Sequence, residues 1–253
     1  MSAVKLSCGF TSRSGVESAI MAQRGFSGIR NVLQGDFGFF QLFSRDGYDV
    51  NALTDQLGEK FPTGYHSKIR PHCGTTQPAT EAALRLVHEN IIDPKEVSHV
   101  IVDVSPDVYP ITGHPFRLEN KSPVEGHFHL AYTVANAILR KDSKLEHFTE
   151  ESISDPEVVE LAHKVHPIIN RSINEPLAAH VAIEMRDGKK YSRYENKFPQ
   201  ISDIEDIRKK FRECVAFGSK PLARENCEKI IDMVGRLEDV DDVAELIRLA
   251  VQN

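Results

Sequence analysis

Tryptophan is missing from this sequence and cysteine is scarce: Cys8, Cys73, Cys214 and Cys227 are spread over 253 positions with no CxxC pair. Scattered thiols of this kind argue against a zinc cluster or a disulfide framework and fit reduced cysteines in an intracellular protein. No window approaches the roughly 20 consecutive apolar residues of a membrane span. The opening residues, MSAVKLSCGFTSRSGVESAI, lack the apolar centre of a secretory signal. A cytoplasmic location is therefore expected, with organelle import left open. Excess positive charge is absent too: the formal net charge is −6, so neither nucleic acid nor an anionic membrane is expected as a partner. The stretch GFSGIRNVLQGDFGFF is rich in glycine, yet it has neither GxGxxG nor phosphate-loop spacing and no strand leads into it. No GxSxG elbow occurs anywhere. Nucleotide binding has no support in these patterns.

What the chain does have is ordinary soluble material, 40% hydrophobic and 27% charged, enough to build one large domain or two small ones. Val16, Ala19 and Ile20 fall at helical spacing, with Gly25 as the stop, and Val50, Leu53, Leu57 and Phe61 repeat the spacing. Pro78 opens a further helix with Ala79, Ala82, Ala83, Leu86 and Val87 on one stripe. Val100, Val102 and Val104 alternate as a strand. Ser122, Pro123 and Glu125 read as the cap, first-turn proline and capping-box carboxylate of a helix carrying Phe128, Ala131, Tyr132, Ala135, Ile138 and Leu139. Asp155 and Pro156 start another helix, and two strands meet at Asp187-Gly188. Helical patterns return from Ser202, read with Glu205 as a capping box, and run to the C-terminus.

This order predicts an α+β fold. A helical domain formed by residues 1–62 and 199–253 would be interrupted by an inserted α/β domain, residues 63–198. The helical part is thin: either this domain is small, or its apolar stripes borrow helices from a partner.

The residues with the most chemistry lie in YHSKIRPHCGTTQPATEAALRLV. Pro71 biases Arg70 away from the helix, so Lys68 and His72 sit on a bend leading into a helix N-terminus. A fixed ammonium, partial positive charge and an imidazole suit a carboxylate substrate. The same residues also fit a plain solvated loop. Tyr132 lies on an apolar stripe and reads either as a core residue with a satisfied hydroxyl or as a donor aimed at a ligand. His127 and His129 form an H-x-H, but two positions on one helix diverge by about 200°, and no third ligand stands at metal spacing. No metal is expected.

Taken together, several stretches resemble the MmgE/PrpD family, which includes 2-methylcitrate dehydratase and cis-aconitate decarboxylase. CGFTSRSGVESAIMAQRGFSGIRNVLQGDFGFF is similar to its glycine-helix-glycine segment with a closing Gly-Phe-Phe. KIRPHCGTTQPATEAAL is similar to its Lys-x-x-Pro turn and Thr-His-Pro-Ala helix start, and SPVEGHFHLAYTVANAIL resembles its Phe-Ser-x-x-Tyr-x-Val-Ala helix. The resemblance implies a helical domain with an inserted lid-like α/β domain, usually a homodimer. It also implies a site between the domains that uses no metal or organic cofactor, acting on di- and tricarboxylic acids by dehydration, decarboxylation or epimerisation. Carried over by position, Lys68 would bind or polarise a substrate carboxylate, His72 would exchange the proton and Tyr132 would aid the leaving group. Lys5 falls near a family lysine, one residue short in spacing, and would bind substrate.

Departures accompany the match. Gln77 stands where the motif has histidine, His129 where it has serine, and Cys73 occupies the frame five residues after Lys68. The chain corresponds to the family's C-terminal portion. Two functions follow as expectations: a lyase acting on a citrate-, 2-methylcitrate- or aconitate-like acid, or a non-catalytic interaction subunit that keeps the fold. In either case a homodimer is expected, or a heteromer with a chain that supplies the missing helices.

Overall fold

The computed structural model describes residues 2–44, 47–61 and 67–251, with side chains from Leu6 onward. The chain divides into two compact units, Met1–Tyr65 and His66–Asn253.

In the first unit, helix α1 (Ser2–Gln23) ends where Gly25 takes φ +92°, a left-handed conformation that glycine adopts without a side-chain clash. A short α2 (Phe39–Phe43) follows, and Phe40 stacks on Tyr48 at 4.3 Å between ring centroids. The helix expected over Val50 to Phe61 does not form. Only a 3-10 turn, Val50–Leu53, is present, capped by the Asp49 carboxylate. Gln56 at φ +54° and Gly58 at φ +87° then reverse the handedness of the backbone and stop it. Phe10 and Val16 are each 61% exposed, and Gly38 is the one buried residue among those described in this unit.

The second unit holds a four-stranded sheet in the order β2-β1-β3-β4, formed by β1 (Val97–Val104), β2 (Val165–Ile169), β3 (Ala179–Met185) and β4 (Lys190–Glu195). β1 runs parallel to β2 and antiparallel to β3, and β3 is antiparallel to β4. Helices and a mixed sheet make the chain α+β. The strand through Val100, Val102 and Val104 and the hairpin at Asp187-Gly188 form as the alternation implied. β2 was not anticipated: Pro167 sits inside it, which an edge strand tolerates because one side of its backbone needs no ladder bond.

One face of the sheet is dry. Val100, Val102, Val104, Val181 and Ile183 point into a core shared with α3 (Gln77–Glu89), α6 (Leu130–Arg140) and α8 (Pro156–His163). Every residue of α6 from Leu130 to Ile138 is buried, so this helix is the centre of the layer. Burying each such valine or leucine contributes about 1.5–3 kcal/mol. The shorter helices α4 (Tyr109–Thr112), α5 (Pro123–His127) and α7 (Glu150–Ile153) connect these elements. The single helix expected from Ser122 to Leu139 is broken between α5 and α6. His129 is extended there (φ −120°, ψ 111°), and the His127 carbonyl accepts from Cys73 N–H at 2.9 Å rather than continuing the helix. His127 and His129 therefore do not lie on a common helix.

After the sheet come α9 (Ile204–Phe217), α10 (Arg224–Gly235) and α11 (Ala244–Ala250). The cap of α9 is Asp203, whose carboxylate accepts from Glu205 and Asp206 N–H, not Ser202 as its spacing suggested. A carboxylate there also complements the helix dipole. Among the described residues no helix is long and apolar enough to cross a membrane.

Candidate active site

The segment from Lys68 to Gln77 is held by its own polar groups. Gln77 is fully buried; its amide donates to the carbonyls of Arg70 at 2.8 Å and His72 at 3.3 Å, while its oxygen accepts from Arg70 N–H at 3.4 Å. The residue that replaces the motif histidine thus clasps the bend around Pro71. A 3-10 turn, Gly74–Thr76, then delivers the chain into α3.

His72 is 3% exposed. Its Nδ1 lies 2.7 Å from the Thr76 hydroxyl oxygen, and that hydroxyl donates to the Cys73 carbonyl at 2.9 Å. With the hydroxyl proton committed, Nδ1 must be the donor, which fixes the tautomer. The lone pair is then on Nε2, a buried atom with no hydrogen-bond partner among the described residues. Burial holds the imidazole down to about 3. The charges of Arg70, His127 and Lys68 act in the same direction, and a backbone hydrogen bond at Cys73 opposes them. The side chain is therefore a neutral imidazole presenting an unused acceptor.

Phe148, 4% exposed, is the hub beside it. His127 stacks on this ring at 4.7 Å, while His72 and Tyr132 each approach it at 5.6 Å. His72 and Tyr132, sixty positions apart in sequence, are thereby both packed against one phenyl ring. The Tyr132 hydroxyl, however, donates to the His147 carbonyl and receives Arg140 Nη1 at 3.3 Å. Arg140 in turn binds Asp155 at 2.9 Å. Burial raises the phenol above its ordinary value, so the proton stays and is committed to a carbonyl.

Lys68 is exposed. Its backbone pairs with Gln200 as an isolated bridge, and its carbonyl accepts from the Lys210 ammonium. Lys210, on α9, is pushed below the ordinary lysine range first by burial and further by Lys68. The structure thus adds Lys210 to the cations around this bend, as well as Arg70, which is paired with Asp142 at 3.1 Å and Glu81 at 3.6 Å. Sequence reading missed Lys210, Arg70, Phe148 and Thr76. Only Arg70 carried a signal, by lying inside the bend. The side chain of Lys5 lies outside the described residues. No group of three or more His, Cys, Asp or Glu gathers as a metal site among the described residues. Two open hollows run along α10 and α11, lined by Arg224, Glu228, Lys229, Asp232 and Arg248 among others. None of their lining residues belongs to the bend.

The comparison with known proteins gives this geometry a context. The family profile described as the MmgE/PrpD C-terminal domain matches residues 71–239, well over half of the chain. The chain belongs to the MmgE/PrpD family. Among its relatives, the cis-aconitate decarboxylase of Mus musculus is 27% identical over 257 residues, covering 96% of this chain and 51% of the relative. The cis-aconitate decarboxylase of Aspergillus terreus (strain NIH 2624 / FGSC A1156) is 23% identical over 266 residues, 97% of this chain and 54% of the relative. A cis-aconitate decarboxylase-like protein, oryM, of Aspergillus oryzae is 23% identical over 260 residues, with 95% and 53% covered. This MmgE/PrpD chain spans about half the length of the relatives it matches.

Proposed function

We propose that this chain works as the C-terminal part of a lyase acting on an aconitate- or citrate-like acid, moving a proton next to a carboxylate, with dehydration or decarboxylation as the net reaction. The observation that carries the reading is the acceptor on His72 Nε2, buried at a bend that also bears Lys68, whose carbonyl is met by Lys210 of α9. Abstracting a proton beside a carboxylate builds negative charge on that carboxylate, and fixed cations lower the barrier. In this reading the two ammonium groups hold substrate carboxylates; in dehydration Nε2 takes the proton while hydroxide leaves and the two depart as water, and in decarboxylation CO₂ leaves and a solvent proton, relayed by Nε2, is delivered to the carbon that develops negative charge. A bound carboxylate would also offset the burial that keeps His72 neutral. Tyr132 braces Phe148, the ring that His72 also packs against, and Lys5 is a further substrate contact proposed from the resemblance alone. The reaction is proposed to need no metal or organic cofactor. Exposed apolar side chains along the first unit support further helices packing there, from a second copy or another chain.

The test is turnover in D₂O. Purified chain, alone and mixed with a full-length relative, is given cis-aconitate, citrate or 2-methylcitrate, and the products are followed by proton NMR. A decarboxylation product is expected to carry one solvent deuterium at the carbon protonated as CO₂ leaves, and a dehydration product to gain none from the elimination itself, with a loss of about 10²-fold or more in His72→Gln in either case. Unchanged turnover in Lys68→Ala and His72→Gln would refute the assignment.

A second reading, a non-catalytic interaction subunit, is favoured by one observation: the Tyr132 hydroxyl is committed to backbone and Arg140. Turnover by the purified chain alone eliminates it.

A further inference from the structure

The way His72 is buried raises the question of how protons reach it. The Nδ1 end of the ring is closed: Nδ1–H donates to Thr76, and the Thr76 hydroxyl donates to the Cys73 carbonyl, where the run of donors stops. Protons therefore enter or leave this ring at Nε2, which is buried without a hydrogen-bond partner among the described residues. A base so placed stalls after one transfer unless a second group carries protons between Nε2 and water.

Three rings pack against Phe148 beside it: His72, Tyr132 and His127. The Tyr132 proton is committed to the His147 carbonyl. His127 lies nearly parallel to Phe148, at 4.7 Å and an interplanar angle of 12°. An imidazole is the side chain suited to taking up and releasing protons near neutral pH, and this one is half-buried where His72 is 3% exposed. Its main chain is fixed to the bend, because its carbonyl accepts from Cys73 N–H at 2.9 Å. Gly126, just before it, lies so close to the packed layer that a Cβ there would come within 2.9 Å of Ile153 and 3.2 Å of Tyr132. The charge of His127 also acts on His72, together with those of Arg70 and Lys68.

We infer that His127 is the proton carrier linking His72 Nε2 to solvent. The inference rests on the lyase reading. In decarboxylation, the carbon–carboxylate bond breaks to release CO₂, and its electron pair takes a proton from Nε2. His127 then passes a proton to Nε2 and regains one from water. In dehydration, Nε2 takes the carbon-bound proton as the carbon–oxygen bond breaks, and His127 carries that proton out to join the departing hydroxide as water. Nε2 has no direct hydrogen bond to His127, so a water molecule completes the path between the rings.

The experiment measures turnover of cis-aconitate and citrate by the full chain, alone and mixed with a full-length relative whose own rate is subtracted. His127→Phe keeps a ring on Phe148 and the backbone bond to Cys73 but has no nitrogen, whereas His127→Ala leaves space for a free imidazole. Far-UV circular dichroism confirms that both fold. Each should lose about 10²-fold in kcat. Added imidazole should restore His127→Ala by about tenfold or more, and should leave His127→Phe and His72→Gln unrestored. The ratio of rates in H₂O and D₂O should rise in His127→Phe, because proton exchange then limits turnover. An active parent matched by His127→Phe, or a His127→Ala variant that imidazole does not restore, would overturn the inference and leave the lyase reading standing. A parent with no turnover in either setting would overturn both.

Discussion

Replacing His72 by asparagine tests whether its imidazole is excluded from protons in the folded chain. Asparagine keeps a polar atom facing Thr76 and removes the titratable ring. In the native state His72 is held down to about 3 by burial, whereas an unfolded histidine titrates near 6.5. Below pH 6.5 the unfolded chain takes up a proton that the native state refuses, so stability contributed by the neutral ring is fully present above 6.5 and falls as pH drops toward 3. At pH 5 the loss is 1.36 kcal/mol times about 1.5 pH units, about 2 kcal/mol. The parent should therefore lose about 2 kcal/mol more than His72→Asn between pH 7.5 and 5. The chain has no tryptophan, so urea unfolding is followed by far-UV circular dichroism. His129 and His147, also lowered by burial first, titrate in both proteins and cancel in the difference. A difference below about 0.5 kcal/mol would mean that the folded ring accepts a proton near neutrality, and the tautomer argument built on Thr76 would fail with it.

Two further outcomes bear on the same bend and its brace. Gln77→Ala removes both donor bonds to the carbonyls of Arg70 and His72 and should cost about 2–3 kcal/mol in urea unfolding. Gln77→His, the residue of the family motif, keeps one donor and should lose less. Tyr132→Phe deletes the hydroxyl bonded to the His147 carbonyl and Arg140. It should cost about 1–2 kcal/mol, read as a fall of a few degrees in Tm. If Tyr132→Phe abolished turnover at unchanged stability, the hydroxyl would belong to the chemistry and not to the brace.

Much of the second unit was legible because local signals and burial agree there. Pro78 and the alanine stripe mark α3, and Asp155 caps α8 by accepting from Glu157 N–H at 3.0 Å. Valine alternation gives β1, and Asp187-Gly188 gives the hairpin, with Gly188 at φ +84°. What stayed hidden depends on contacts distant in sequence. The break before α6 is set by Cys73 reaching the His127 carbonyl. β2 contains a proline that only its edge position makes tolerable. Of the candidate site, Lys68, His72 and Tyr132 stood out by residue type, and the structure brings His72 and Tyr132 each against Phe148 while leaving Lys68 exposed. Whether His72 is charged, and where Gln77 points, are settled by Thr76 and by backbone carbonyls, neither of which any spacing rule registers. The first unit shows the converse. Its periodicity was plain, but Gln56 and Gly58 ended one run early.

The placement of β1 bears on how the chain is made. Its hydrogen-bonding edges are completed by β2 on one side and β3 on the other, and both partners are synthesised later. A nascent chain that has emerged only as far as α6 carries a valine-rich ribbon with two open margins. Pairing over such separations is slow and leaves the ribbon open to association with other chains. Expression that stalls or is cut before residue 185 should therefore yield sticky fragments and not a smaller folded domain.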